Sequence, residues 1–228
     1  MVRFNRILIV SALCLLFSSV SYGSVAVELM SRSVLASGAL PAYRSFTFVG
    51  EDGTATVTLT NGSPEYDPGS GMTSLFLTVN GQPAITLFSP EGEPESIVRE
   101  TVINQGENLL EVIYIGIAGA SFTVQVTQNV QGEAASIIGP EGGRVEITDP
   151  ASEAYGVSVT VEKNAFEKET LIQLGTLPPD TVTPLFSPYR EPVSAIAWFD
   201  AKGQTATAVD ICFPVNGSGG EEKSLFTL

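Results

Sequence analysis

The chain has 228 residues, 43% hydrophobic and 16% charged, and its 25 acidic against 11 basic residues give a formal net charge of −14. So acidic a chain repels phosphate backbones and anionic headgroups, which argues against nucleic acid and anionic membrane surfaces as partners. It also has no histidine, which removes the commonest general base and metal ligand and makes any Ser-His-Asp or Cys-His site impossible within it.

Residues 1–23 read as a secretory signal peptide. Arg3 and Arg6 form a positive start, Ile7 to Phe17 is an apolar run, and Ser21-Tyr22-Gly23 offers small residues for cleavage. Cleavage is expected after Gly23, with Ser24-Val25-Ala26 offering a second fit after Ala26, and the apolar run is too short to span a bilayer comfortably. Export to the periplasm, the cell surface or the medium is therefore expected, with no membrane attachment of the mature chain. Losing the peptide leaves nine basic against 25 acidic residues, a net charge of −16. Cys14 leaves with it, so Cys212 remains alone in the apolar run Ala208 to Val215. Burial as a small hydrophobe is the usual role of such a thiol, with pairing between chains the alternative. No disulfide framework is available, and stability must come from one or two hydrophobic cores.

From there the pattern is of strands. Tyr43 to Val49 alternates, and Thr54 to Thr60 sets Ala55, Val57 and Leu59 on one face and threonines on the other. Asn61 to Met72, rich in Gly, Pro, Ser and Asp, reads as a surface loop. Thr73 to Val79 and Pro83 to Phe88 flank Asn80-Gly81, the pair that a type I′ hairpin turn requires. After an acidic loop, Ser89 to Glu95, come strands at Ile97 to Ile103, Leu109 to Ile115 and Phe122 to Thr127. Short strands at this spacing are the signature of an antiparallel sandwich. Val130 to Ala135 is small and polar and marks a boundary. Further strands follow at Arg144 to Thr148, Val157 to Val161, Thr170 to Leu174, Val193 to Phe199 and Ala206 to Phe213. Leu177 to Pro192 holds five prolines and cannot be a central strand, Asn216 to Gly220 is a turn or linker, and Ser224 to Leu228 is a possible last strand.

The expected fold class is all-β: a signal peptide at 1–23, an N-terminal antiparallel β-sandwich at 24–131, a linker at 132–136 and a second sandwich at 137–228. Val57, Leu59, Val157, Val159 and Val161 should face the cores. Truncating one to alanine should cost about 2 kcal/mol, and a denaturation midpoint unmoved in Val159→Ala would show that the strand register is wrong.

Gly142-Gly143-Arg144-Val145 and Gly156 to Phe166 carry a resemblance to the ZU5 domain, a β-sandwich of ankyrins, netrin receptors and bacterial surface proteins. Pro192 to Trp198 and Val209 to Pro214 fall where its later strands are expected, so the match covers about residues 136–215. It departs at Glu162-Lys163-Asn164, where the family usually has a proline-glycine pair. Some ZU5 domains resemble self-cleaving modules that cut at His-Phe-Ser, but Phe88-Ser89 and Phe186-Ser187 here lack the histidine. Leu77 to Gly81, Gly106 to Val112 and Gly116 to Gly119 are similar to a β-sandwich, immunoglobulin-like or like a carbohydrate-binding module, of secreted bacterial proteins.

Chemistry-bearing constellations are few. There is no nucleophile elbow, P-loop or dinucleotide fingerprint, one cysteine makes zinc improbable, and no pair of acids is singled out for carboxylate-only hydrolysis. No cofactor, catalytic residue or metal ligand is assigned, and an enzyme is not expected. Calcium is the most plausible ion, with Glu51-Asp52-Gly53 and Glu65-Tyr66-Asp67 as possible oxygen sources, though ordinary acidic turns outnumber calcium sites. For sugar stacking, Tyr66 and Tyr189 are the loop aromatics, whereas Phe46, Phe48, Phe76, Phe122, Trp198 and Phe213 sit in strand patterns that suggest core packing. The expected role is a non-catalytic structural or protein-interaction module, with carbohydrate or calcium binding as the alternative. Its partner would be an unknown protein or a surface glycan.

Overall fold

The computed structural model describes residues 23–62, 70–177, 196–201, 209–213 and 223–227. Among these the chain is all-β and antiparallel, and no helix is long and apolar enough to cross a membrane. Residues 1–22 of the expected signal peptide, Glu65, Tyr66, Asp67, Phe186-Ser187, Tyr189 and the 216–220 tail lie outside the described residues.

The first strands are β1 (Ser24–Leu35), β2 (Ala42–Gly50), β3 (Gly53–Asn61), β4 (Ser74–Val79), β5 (Gln82–Phe88), β6 (Glu95–Ile103), β7 (Gly106–Ile115) and β8 (Ser121–Gln131). They form two four-stranded sheets, ordered β1-β8-β3-β6 and β2-β7-β4-β5. Both contribute alternate residues to one buried cluster, in which Val57, Leu59, Leu77, Val79, Leu110, Val112, Val124 and Val126 have no exposed surface. The hairpin between β4 and β5 has positive φ at both Asn80 (51°) and Gly81 (75°), as a type I′ turn demands. Asn61, wholly buried, ties the loop ends together: its amide donates to the Met72 and Glu93 carbonyls and its oxygen accepts from Met72 N–H at 2.7 Å.

The edges of these sheets are guarded. Arg32, Arg44 and Arg99 each pair with an inward-facing valine of the neighbouring strand (Val124, Val112 and Val57), yet remain exposed. A charge in an inward phase discourages a further strand from docking there. On the fourth edge, β5, Pro83 and a register shift opposite Leu77 and Thr78 do the same.

β9 (Ala134–Ile138), β10 (Gly143–Glu146), β11 (Ser158–Val161), β12 (Thr170–Leu177), β13 (Ile196–Ala201), β14 (Val209–Phe213) and β15 (Lys223–Thr227) follow. They pair as β10-β11-β14-β15 and β13-β12-β9. A second cluster, including Val145, Ile147, Val159, Val161, Phe166, Ile172 and Leu174, lies among them. The backbone of Cys212 pairs with Ser158 on β11.

Three expectations change. β1 was not anticipated, because Leu29 is an extra residue in a bulge between Glu28 and Met30 that switches the buried phase from Val27 to Met30 and Val34. The expected boundary is largely strand: Val130 is in β8, and Ala134, Ala135 and Ser136 of the expected linker belong to β9 and pair with β12. Phe76 is no core residue; it is 40% exposed, since Leu75 and Leu77 on either side take the inward phase.

Candidate functional site

The outer face of β2-β7-β4-β5 gathers an unusual set of side chains. Ladder register aligns Tyr43, Ile113, Phe76 and Thr86 in one row across all four strands. Tyr43, Ile113 and Phe76 are 51%, 50% and 40% exposed, and with neighbouring strands about 4.8 Å apart the three span about 10 Å. The next row in one direction carries Ile115, Ser74 and Phe88, and the exposed Leu40 and Ile117 lie just beyond the ends of β2 and β7. In the other direction the row is polar: Ser45, Glu111 and Thr78. An apolar band thus abuts a band of hydroxyls centred on one carboxylate.

Glu111 is oriented by its neighbours. Its Oε1 accepts the Tyr43 hydroxyl at 2.7 Å, and Thr78 Oγ1 lies 3.5 Å from Oε2. The acceptance of its proton by the Glu111 carboxylate, with a smaller contribution from partial desolvation, holds the Tyr43 phenol above its ordinary pKa. The phenol is thereby held as a neutral donor on a side chain that stays about half exposed.

Of the acids first considered for calcium, Glu51 and Asp52 are engaged in structure. Asp52 Oδ1 accepts Gln105 N–H at 2.6 Å, and Glu51 Oε2 accepts the Gln173 amide at 2.8 Å. Glu133 accepts hydroxyl donors from Ser152 and Thr176. Among the described residues no three His, Cys, Asp or Glu side chains are grouped to hold a metal ion.

No family model matches the chain, and no curated protein matches it. Solved structures do. The chain is similar to a family 35 carbohydrate-binding module from Clostridium thermocellum, with 12% identity and a TM-score of 0.31 over 46% of this chain and 97% of that one. It is similar to the EclA C-terminal domain, a sugar-binding protein, with 12% identity and a TM-score of 0.22 over 50% of this chain and 81% of that one. It is also similar to dimeric latent PorU from Porphyromonas gingivalis, with 15% identity and a TM-score of 0.28, spanning 79% of this chain but only 20% of that one.

Sequence reasoning missed the outer-face band, although a signal for it was present. In Ser74-Leu75-Phe76-Leu77, the phenylalanine is out of phase with two leucines, and in Leu109-Leu110-Glu111-Val112-Ile113 both phases carry apolar residues. A half-buried strand with one wet face has no need of the second apolar phase. Of the other strand aromatics considered, Phe48 and Phe122 are buried in the first core, Phe46 packs partly against it, and Trp198 is half-buried on β13.

Proposed function

We propose that this chain is an exported, non-catalytic protein of two β-sandwich modules that binds carbohydrate through the outer face of β2-β7-β4-β5. The single observation that carries the reading is the exposed row Tyr43–Ile113–Phe76 lying against the Ser45–Glu111–Thr78 row. A pyranose is itself two-sided: its C–H face stacks on apolar and aromatic surface, and its hydroxyls seek donors and acceptors. A protein partner is the second reading, favoured by the continuity of the apolar band out to Leu40, Phe88 and Ile117. Beside the lack of histidine, the engagement of Glu51, Asp52 and Glu133 in structural hydrogen bonds supports a non-catalytic role. The ZU5-like reading of the C-terminal module is supported by Asn164, whose φ of 64° is one that the family's glycine would adopt at ease, and by positive φ at Gly142 and Gly156.

Affinity electrophoresis of the mature chain through gels containing individual polysaccharides tests this. Retardation by at least one glycan is expected. The Phe76→Ser, Ile113→Ser double variant should weaken it at least about tenfold, equivalent to about 1.4 kcal/mol. Both side chains are substantially exposed, so the melting temperature should change little. Full retention of binding in the double variant would remove the face from consideration.

A further inference from the structure

We infer that Glu111 makes this face selective for uncharged glycans, accepting hydroxyl groups of the bound sugar while excluding acidic ones. The inference rests on the carbohydrate reading above and names the ligand class that the same face takes. Glu111 sits on β7, interior to the sheet, between Ser45 of β2 and Thr78 of β4. An ionised carboxylate offers roughly four acceptor positions. The Tyr43 hydroxyl takes one, and the more distant Thr78 hydroxyl engages a second only weakly. Acceptor capacity therefore remains on a half-buried group already held in one orientation.

The charge around it decides what can approach. No outward position of β2, β7, β4 or β5 is a lysine or arginine; Arg44, next to Tyr43, is in the inward phase at the edge of β2, and its guanidinium donates to the Tyr43 carbonyl at 3.1 Å. A carboxylate or sulfate on the ligand would meet Glu111 with no outward-facing cation in the rows beside it, on a chain already at −14. A second copy stacked on the same face would bring Glu111 and Glu107 of both copies together, unpaired, which disfavours self-association here. An ammonium-bearing ligand would have to be desolvated against the apolar row to reach a carboxylate whose charge the Tyr43 hydroxyl already disperses. Neutral hydroxyls meet no like charge and cost less to desolvate than an ammonium, and hydrogen bonds to an ionised acceptor are the stronger kind.

The test uses the mature chain and its Glu111→Gln variant, with affinity electrophoresis against neutral polysaccharides (glucans, mannans, galactans, xylans), acidic ones (alginate, polygalacturonate) and cationic chitosan. Wild type should be retarded by a neutral polysaccharide and by none of the acidic ones. Glu111→Gln, of the same shape, should lose at least about tenfold in affinity for the neutral ligand. It should also bring the Tyr43 titration down towards that of an ordinary tyrosine, confirming that the charge beside the phenol was removed. Wild-type affinity in Glu111→Gln, preference for an acidic glycan, or preference for chitosan would each overturn the selectivity while leaving the carbohydrate reading intact. Failure of wild type to be retarded by any polysaccharide would overturn the carbohydrate reading, and this inference with it.

Discussion

Phe122→Ala is expected to destabilise the chain by about 3–5 kcal/mol, the range for removing a large aromatic from a packed core. The ring is 1% exposed, and its backbone lies at a crossing point, paired with Val34 of β1 on one side and with Asn61 of β3 on the other. Phe122 belongs to the β1-β8-β3-β6 sheet and Tyr114 to the opposite sheet, and their rings meet edge to face, with centroids 5.4 Å apart and planes at 63°. Truncation leaves a cavity between two sheets whose backbones are fixed by ladders, so collapse can recover little of the lost contact. The measurement is the denaturant midpoint, followed by far-UV circular dichroism. A loss below about 1 kcal/mol, the size of an exposed substitution, would show that the ring does not span the two sheets.

The same alternation that exposes Phe76 made most of the fold readable in the sequence. Where one face is wet, as in β3, the threonine and valine phases separate cleanly, and Val57 and Leu59 are buried as expected. Val157, Val159 and Val161 follow the same logic in the second core. Asn80-Gly81 sets the hairpin turn by its own chemistry, although the ladder beyond it slips by one residue between Leu77 and Thr78. The sequence was least legible where two signals overlapped. In β1 a bulge shifts the phase halfway along, and a reader counting every second residue sees no strand. In β9 the small residues of Ala134-Ala135-Ser136 resemble a linker, and only pairing with β12 makes them a strand. The outer-face band was hidden for a related reason. Tyr43, Phe76 and Ile113 are 33 or more residues apart in neighbouring pairs along the chain, and ladder register alone places them side by side. No local pattern around Tyr43 points to Glu111, although the two share a hydrogen bond.

Leu171→Ala is expected to cost about 2–5 kcal/mol and to move the unfolding of both halves of the chain together. β12 is buried without a break from Thr170 to Gly175, a run that one wet face could not produce. Ile172 and Leu174 point into the second cluster, whereas Leu171, 1% exposed, belongs to the first. Ala135 and Ile137 of β9 also pack against the first cluster, and Ala134 and Ile138 against the second. Gln173, wholly buried on the same side as Leu171, donates to Glu51, whose own backbone N–H and carbonyl are clasped by the Gln128 amide. The β13-β12-β9 sheet is therefore common to both cores, and truncating Leu171 opens a cavity on the first-core side of a strand that also completes the second. Trp198, the only tryptophan in the chain, sits on β13 opposite Gly175, on the Leu171 side of the shared sheet, and reports by fluorescence on the unfolding of that sheet. Two cores joined only by a linker would let the Trp198 midpoint fall while the strands before residue 132 kept theirs, splitting the far-UV transition in two; a shared sheet requires both signals to fall together in one transition.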